Sequence, residues 1–141
     1  MIALLDEKTA RFIDGKGGIK AIVISHPHYY STYVEWAERF KCPIYISIDD
    51  REWLCREPPE EGMIRFIEGP AGSVEEIVEG VTAIKTGGHF KGSLVLHWEE
   101  KMFIADTIVT VPVSAITLFS MSLRFITSLG AKLKLVLIIL A

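Results

Sequence analysis

The sequence predicts an α/β domain, and three observations carry that expectation. Residues 21–25 (AIVIS) and 44–48 (IYISI) are continuous apolar runs bounded by turn residues, as in strands buried on both faces. Between them, residues 32–40 have a helix start signal and a helical length. Farther on, residues 81–85, 93–98 and 102–105 read as short strands. Strand–helix–strand with short links implies parallel pairing, and the later strands imply a hairpin, so a mixed sheet is expected. The 141 residues fit one domain.

Each element has a local reason. Ile2, Leu5, Thr9, Phe12 and Ile13 fall at roughly helical spacing, and Gly15, Gly17 and Gly18 stop that helix. Thr32 with Glu35 makes a capping box for a helix running to about Phe40, which Pro43 ends. Asp49 or Asp50 caps a short helix through Trp53. Residues 63–66 form a candidate strand. Ser73 with Glu76 makes a second capping box, predicting about a turn and a half of helix over 75–79. The turn at 99–101 joins the last two strands.

Composition excludes several classes. Half the residues are hydrophobic and mean hydropathy is +0.33, so the chain has ample apolar surface to bury and is not wholly disordered. With 15 basic against 18 acidic residues, no positive field exists to hold a nucleic acid. Cys42 and Cys55 cannot make a disulfide framework and suggest a reducing, cytoplasmic setting. Asp6, Glu7 and Lys8 follow the apolar start at once, so no signal peptide is expected.

The charge is unevenly spread. Residues 1–106 hold all 18 acidic residues and carry −6, whereas residues 107–141 hold only Arg124, Lys132 and Lys134. The 17 residues 107–123 are uncharged and include Pro112; a spanning helix needs about 20. The chain therefore divides into a domain over 1–112 and an atypical hydrophobic C-terminal segment over 113–141. That segment is a candidate contact for a partner protein or a membrane, which is the alternative to a cytoplasmic location.

The chemistry gathers at strand ends. His26 and His28 follow the first strand, and Pro27 fixes the backbone between them. In an extended segment both imidazoles would point the same way. His89 follows another strand inside Thr86-Gly87-Gly88-His89, where two glycines permit a sharp turn. Asp106 ends the strand over 102–105. Three imidazoles and a carboxylate suit Zn²⁺ or another first-row divalent ion, with Mn or Fe as alternatives. His97 in mid-strand reads as structural or surface, Cys42 as a packed residue, Cys55 as a surface thiol, and Trp36, Trp53 and Trp98 as core or half-buried packing.

The runs AIVISHPH (21–28), TGGH (86–89) and FIADT (103–107) resemble the metallo-β-lactamase fold superfamily, over roughly residues 15–112. The likeness is to its hydrolase-like members. It implies a partial αββα sandwich, a metal site on His26, His28 and His89, and Asp106 as ligand or bridge. Members carry His-x-His-x-Asp-His in the first loop; here Tyr30 and Ser31 replace the Asp-His pair, and no histidine follows His97. One ion rather than two is therefore expected. Segments that family members have before the first histidine strand and after the Asp strand have no counterpart here, so the chain looks truncated at both ends.

Three functions follow as expectations. The first is a metal-dependent hydrolase acting through activated water on a small ester, lactone, thioester or phosphoester, with Asp106 as ligand and Tyr30 donating to a developing oxyanion. The second is a non-catalytic metal-binding relative. The third is a membrane-associated protein anchored by its tail.

Overall fold

Asp6 opens the first helix, its side chain accepting from the Thr9 amide at 2.9 Å. That helix, α1 (Glu7–Asp14), buries Ala10 and Ile13. Strand β1 (Ile19–Ile24) follows, then α2 (Tyr33–Phe40), β2 (Ile44–Ser47) and β3 (Ile64–Ile67). A second series runs β4 (Val74–Val78), β5 (Val81–Lys85), β6 (Leu94–Trp98) and β7 (Lys101–Phe103); β8 (Leu135–Ile139) comes last. The structure, a computed structural model, describes residues 4–56 and 60–107, and the backbone of 135–139.

The α/β expectation holds, but the strands form two sheets rather than one mixed sheet. One sheet is parallel, ordered β3-β2-β1-β8; the other is antiparallel, ordered β4-β5-β6-β7. The separation occurs after β3. The turn around Gly69 and Gly72 leads the chain out of the parallel sheet, and Gly72 and Lys85 then begin pairing in the other.

Burial on both faces explains the apolar runs. On β1, Ile22 and Ile24 pack under α2 with Ile44 and Ile46 of β2. The alternate residues Ala21, Val23 and Tyr45 face Ala83, Leu94 and Leu96 of the antiparallel sheet. Helices, parallel sheet and antiparallel sheet thus make three layers. Replacing Ile22, fully buried, with Val keeps the β-branched shape and removes one methylene. Chemical denaturation should show a cost of about 0.5–1.5 kcal/mol.

Three local expectations change. Residues 75–79 are not helical: Val74, Ile77 and Val78 sit in β4, which pairs with β5 across the Glu79-Gly80 turn. That hairpin gives the segment backbone partners along its length, which a turn and a half of helix cannot. The 3₁₀ helix Ile48–Trp53 is capped by Ser47, not by Asp49 or Asp50. Thr32 is the N-cap of α2 but makes no side-chain cap bond; Glu35 instead pairs with Arg56 at 2.5 Å. Trp53, 52% exposed, has its ring 5.9 Å from that of Phe90, within the half-buried packing expected of it.

Residues 135–139, from the segment set apart as a tail, add a strand beside β1. The boundary at 112/113 and most of the uncharged run, from residue 108 on, lie outside the described residues. Among the described residues no helix is long and apolar enough to cross a membrane.

Candidate metal centre

The carboxyl ends of β1 and β5 and the loop after β7 meet at one edge of the molecule, where open α/β sheets place ligands. His26 leaves β1 in extended backbone. Pro27 then starts a 3₁₀ turn, Pro27–Tyr29, because its fixed φ suits a first helical position. His28 therefore reaches the centre from a turn, not from the extended segment that the His-x-His spacing implied. Gly87 and Gly88, at φ 65° and 105°, bend the chain after β5 and bring His89 in. Ala105, at φ 44°, turns the chain after β7 into the 3₁₀ segment Ala105–Thr107, which carries Asp106.

One donor atom from each of His26, His28, His89 and Asp106 lies within 4.8 Å of every other. His26 Nε2 stands 3.2 Å from Asp106 Oδ2, and His28 Nδ1 stands 3.5 Å from His89 Nε2. Four ligands at about 2.0–2.1 Å from one tetrahedral ion would be about 3.3 Å apart. These two separations, 3.2 and 3.5 Å, bracket that value.

The electrostatics favour the ligand form of His26. It is 2% exposed. Burial pulls its pKa below the usual imidazole value; the Asp106 carboxylate opposes this, and the other two imidazoles add to it. Its Nδ1 lies 2.9 Å from Ser25 Oγ. A proton there, donated to Ser25, leaves the Nε2 lone pair facing the other three donors. Nε2 is buried; its approach to Asp106 Oδ2, at 3.2 Å, is an ion-pair contact and not a hydrogen bond of good geometry. An orphaned nitrogen among three further donors is what a metal ligand looks like without its ion. His28 and His89 are exposed and the Asp106 side chain is 40% exposed, so the centre is closed at His26 and open to solvent opposite.

The structure thus brings together all four residues expected from sequence. Tyr30 stands apart. Its ring packs 6.0 Å from that of Tyr33, within the cluster under α2. Its hydroxyl is buried without a partner, and burial, with the Asp50 charge, holds its pKa well above the usual phenol value. Tyr29 is the tyrosine at the centre, its ring 4.7 Å from that of His26. Phe90, also missed in the sequence, sits within 5.8 Å of all three imidazole rings. Its position beside His89 was the available signal. His97 is exposed on β6, opposite Thr82 and Met102.

No protein-family model matches the chain. The chain is similar to the "Uncharacterized protein YmaE" of Bacillus subtilis (strain 168), at 49% identity over 96 residues. The match covers 68% of this chain and 33% of YmaE, so the chain spans about a third of the length of the curated relative it matches.

Proposed function

We propose that this chain is a metal-dependent hydrolase-like protein of the metallo-β-lactamase fold superfamily, with His26, His28, His89 and Asp106 as ligands of one divalent ion. The observation that carries the reading is the buried, unpartnered His26 Nε2 facing three more donors within 4.8 Å. Three nitrogens and one oxygen suit Zn²⁺ best, with Mn or Fe as alternatives. The free thiols of Cys42 and Cys55 suit a reducing, cytoplasmic setting.

A divalent ion held by His26, His28, His89 and Asp106 would supply Lewis acidity and the activation of water. The chain's residues do the rest. His26, locked by Ser25 and by the Tyr29 and Phe90 rings, fixes the buried side of the site. Asp106 Oδ1, the carboxylate oxygen away from His26, accepts the proton released in hydrolysis. The open side, at His28 and His89, admits a small ester, lactone, thioester or phosphoester. Tyr30 has no part in this reaction, because its hydroxyl belongs to the packing under α2.

A second reading, a metal-binding relative without turnover, is favoured by one observation. Tyr30 and Ser31 stand where the superfamily carries two more ligands, and both hydroxyls are buried and unpartnered. The discriminating experiment is turnover of an ester, lactone, thioester and phosphoester panel by Zn²⁺-loaded protein. Metal-dependent hydrolysis that falls by about 100-fold or more in His89→Ala is expected, since ligand removal should exceed the effect of losing an outer-shell partner. Stoichiometric Zn²⁺ without hydrolysis of any panel member would establish the second reading instead.

A further inference from the structure

We propose that Asp50 is the positioning residue of His89, acting through the amide of Gly92; this rests on reading the four donors as a metal site. Asp50 is 2% exposed, and its Oδ1 accepts from the Gly92 N–H at 3.0 Å across 42 residues of sequence. Gly92 comes this close because it lacks a side chain. A Cβ there would lie 2.5 Å from Ser47 Cβ and Oγ and 2.6 Å from Asp50 Cγ.

The loop between β5 and β6 is tied into one piece by its own bonds. The Thr86 and Gly87 amides donate to the Ser93 carbonyl at 2.9 and 3.2 Å. Ser93 Oγ accepts from the Phe90 amide at 2.9 Å, and the Ser93 amide donates to the Phe90 carbonyl at 3.2 Å. Besides the ring contacts of His89 and Phe90, two bonds to backbone amides join this piece to the end of the parallel sheet among the described residues. One is the backbone bond from the Leu94 amide to the Ser25 carbonyl, 2.9 Å, next to His26. The other is the Asp50 carboxylate. One tie leaves a loop able to pivot about Leu94; two fix the direction from which His89 enters.

The role requires an acceptor oxygen rather than a negative charge. Burial holds the Asp50 carboxyl above the usual carboxylate range, so its charge is a burden on the fold. Asn offers the same acceptor without that burden. Asp50→Ala removes it. Gly92→Ala attacks the same contact from the loop side.

The test compares the wild-type chain with Asp50→Asn, Asp50→Ala and Gly92→Ala. Zn²⁺ affinity is read by chelator competition, and the Co²⁺-loaded visible spectrum reports ligand geometry. Metal-free NMR reads the ring-to-ring signals of His89 with His26 and His28, whose centroids lie 5.3 and 5.0 Å away. Asp50→Ala and Gly92→Ala should bind Zn²⁺ about 10–100-fold more weakly, change the Co²⁺ spectrum and abolish the ring-to-ring signals. Asp50→Asn should stay near wild type in all three. Ile22→Val, which lowers stability alone, should move none of them. Wild-type affinity and wild-type ring-to-ring signals in Asp50→Ala would overturn the proposal, as would equal losses in Asp50→Asn and Asp50→Ala. A wild-type chain that takes up no Zn²⁺, but whose ring-to-ring signals vanish in Asp50→Ala and persist in Asp50→Asn, would defeat the metal reading and leave the positioning role standing.

Discussion

Zn²⁺ at a thousand times its dissociation constant is expected to raise the thermal midpoint by roughly 10 °C over the chelator-treated protein, and His26→Ala to erase the rise. A ligand bound only by the folded state at that concentration adds about 4 kcal/mol. For a chain of this size each kcal/mol moves the midpoint by about 3 °C. The donors come from segments far apart in sequence: the turn after β1, the loop after β5 and the turn after β7. The unfolded chain does not hold them together, so the binding energy acts almost wholly on the folded state. Under the proposed metal reading His26 should be the decisive ligand, because it is the buried one. Its Nε2 is unpartnered, its Nδ1 is tied to Ser25, and its ring is wedged by Tyr29 and Phe90. The exposed His28 and His89 can be replaced in part by water; a nitrogen at the closed end cannot. A scan in which Zn²⁺ shifts wild type and His26→Ala equally would place the ion elsewhere.

The four donors were legible in the sequence because each follows an apolar run, and an apolar run bounded by turns marks where a buried strand ends. The local devices that aim them were less visible. The expectation that His26 and His28 share an extended segment failed because Pro27 favours a helical start over continued strand. The left-handed Ala105 that turns the chain toward Asp106 has no composition signal, since alanine rarely adopts that conformation. Strand runs report burial and not partners, so the residues alone imply a mixed sheet, two packed sheets being implied only by the resemblance, whereas each of the two sheets is unmixed. Residues 75–79 show the same limit: the Ser73 and Glu76 pattern suits a capping box, and only pairing with β5 makes the segment a strand. Asp49 or Asp50 reads as a helix cap for the same reason. The Asp50 bond to Gly92 spans 42 residues, and nothing local announces it.

Lys85→Met is expected to destabilise the fold by about 3 kcal/mol at neutral pH, and Asp50→Asn to recover part of that loss in the double variant. Lys85 ends β5 and is 2% exposed. Its ammonium donates to the Gly69 carbonyl at 2.6 Å and lies 2.6 Å from Asp49 Oδ2. It thus joins the turn between the sheets to the 3₁₀ helix after β2. Breaking a buried ion pair from one side costs about 3–5 kcal/mol; Asp49, 43% exposed, is rehydrated in the variant, which argues for the low end. The remaining cost falls on Asp50. Burial raises its pKa and the Lys85 charge opposes the rise, so losing Lys85 pushes it higher. With a folded-state pKa above the unfolded value, the native state holds more protons between the two. Stability then falls as pH rises through that window and is lowest above it. The Lys85→Met penalty is accordingly largest near pH 7 and shrinks toward pH 4. Asn at position 50 keeps the Gly92 bond and carries no charge, so the pH dependence should flatten in the double variant. Urea denaturation of the four-protein cycle at pH 7 and pH 5 measures this directly. A coupling below about 0.5 kcal/mol, the level of independent sites, would mean that Lys85 and Asp50 act separately. The brace between the sheets would then consist of Lys85, Asp49 and Gly69 alone.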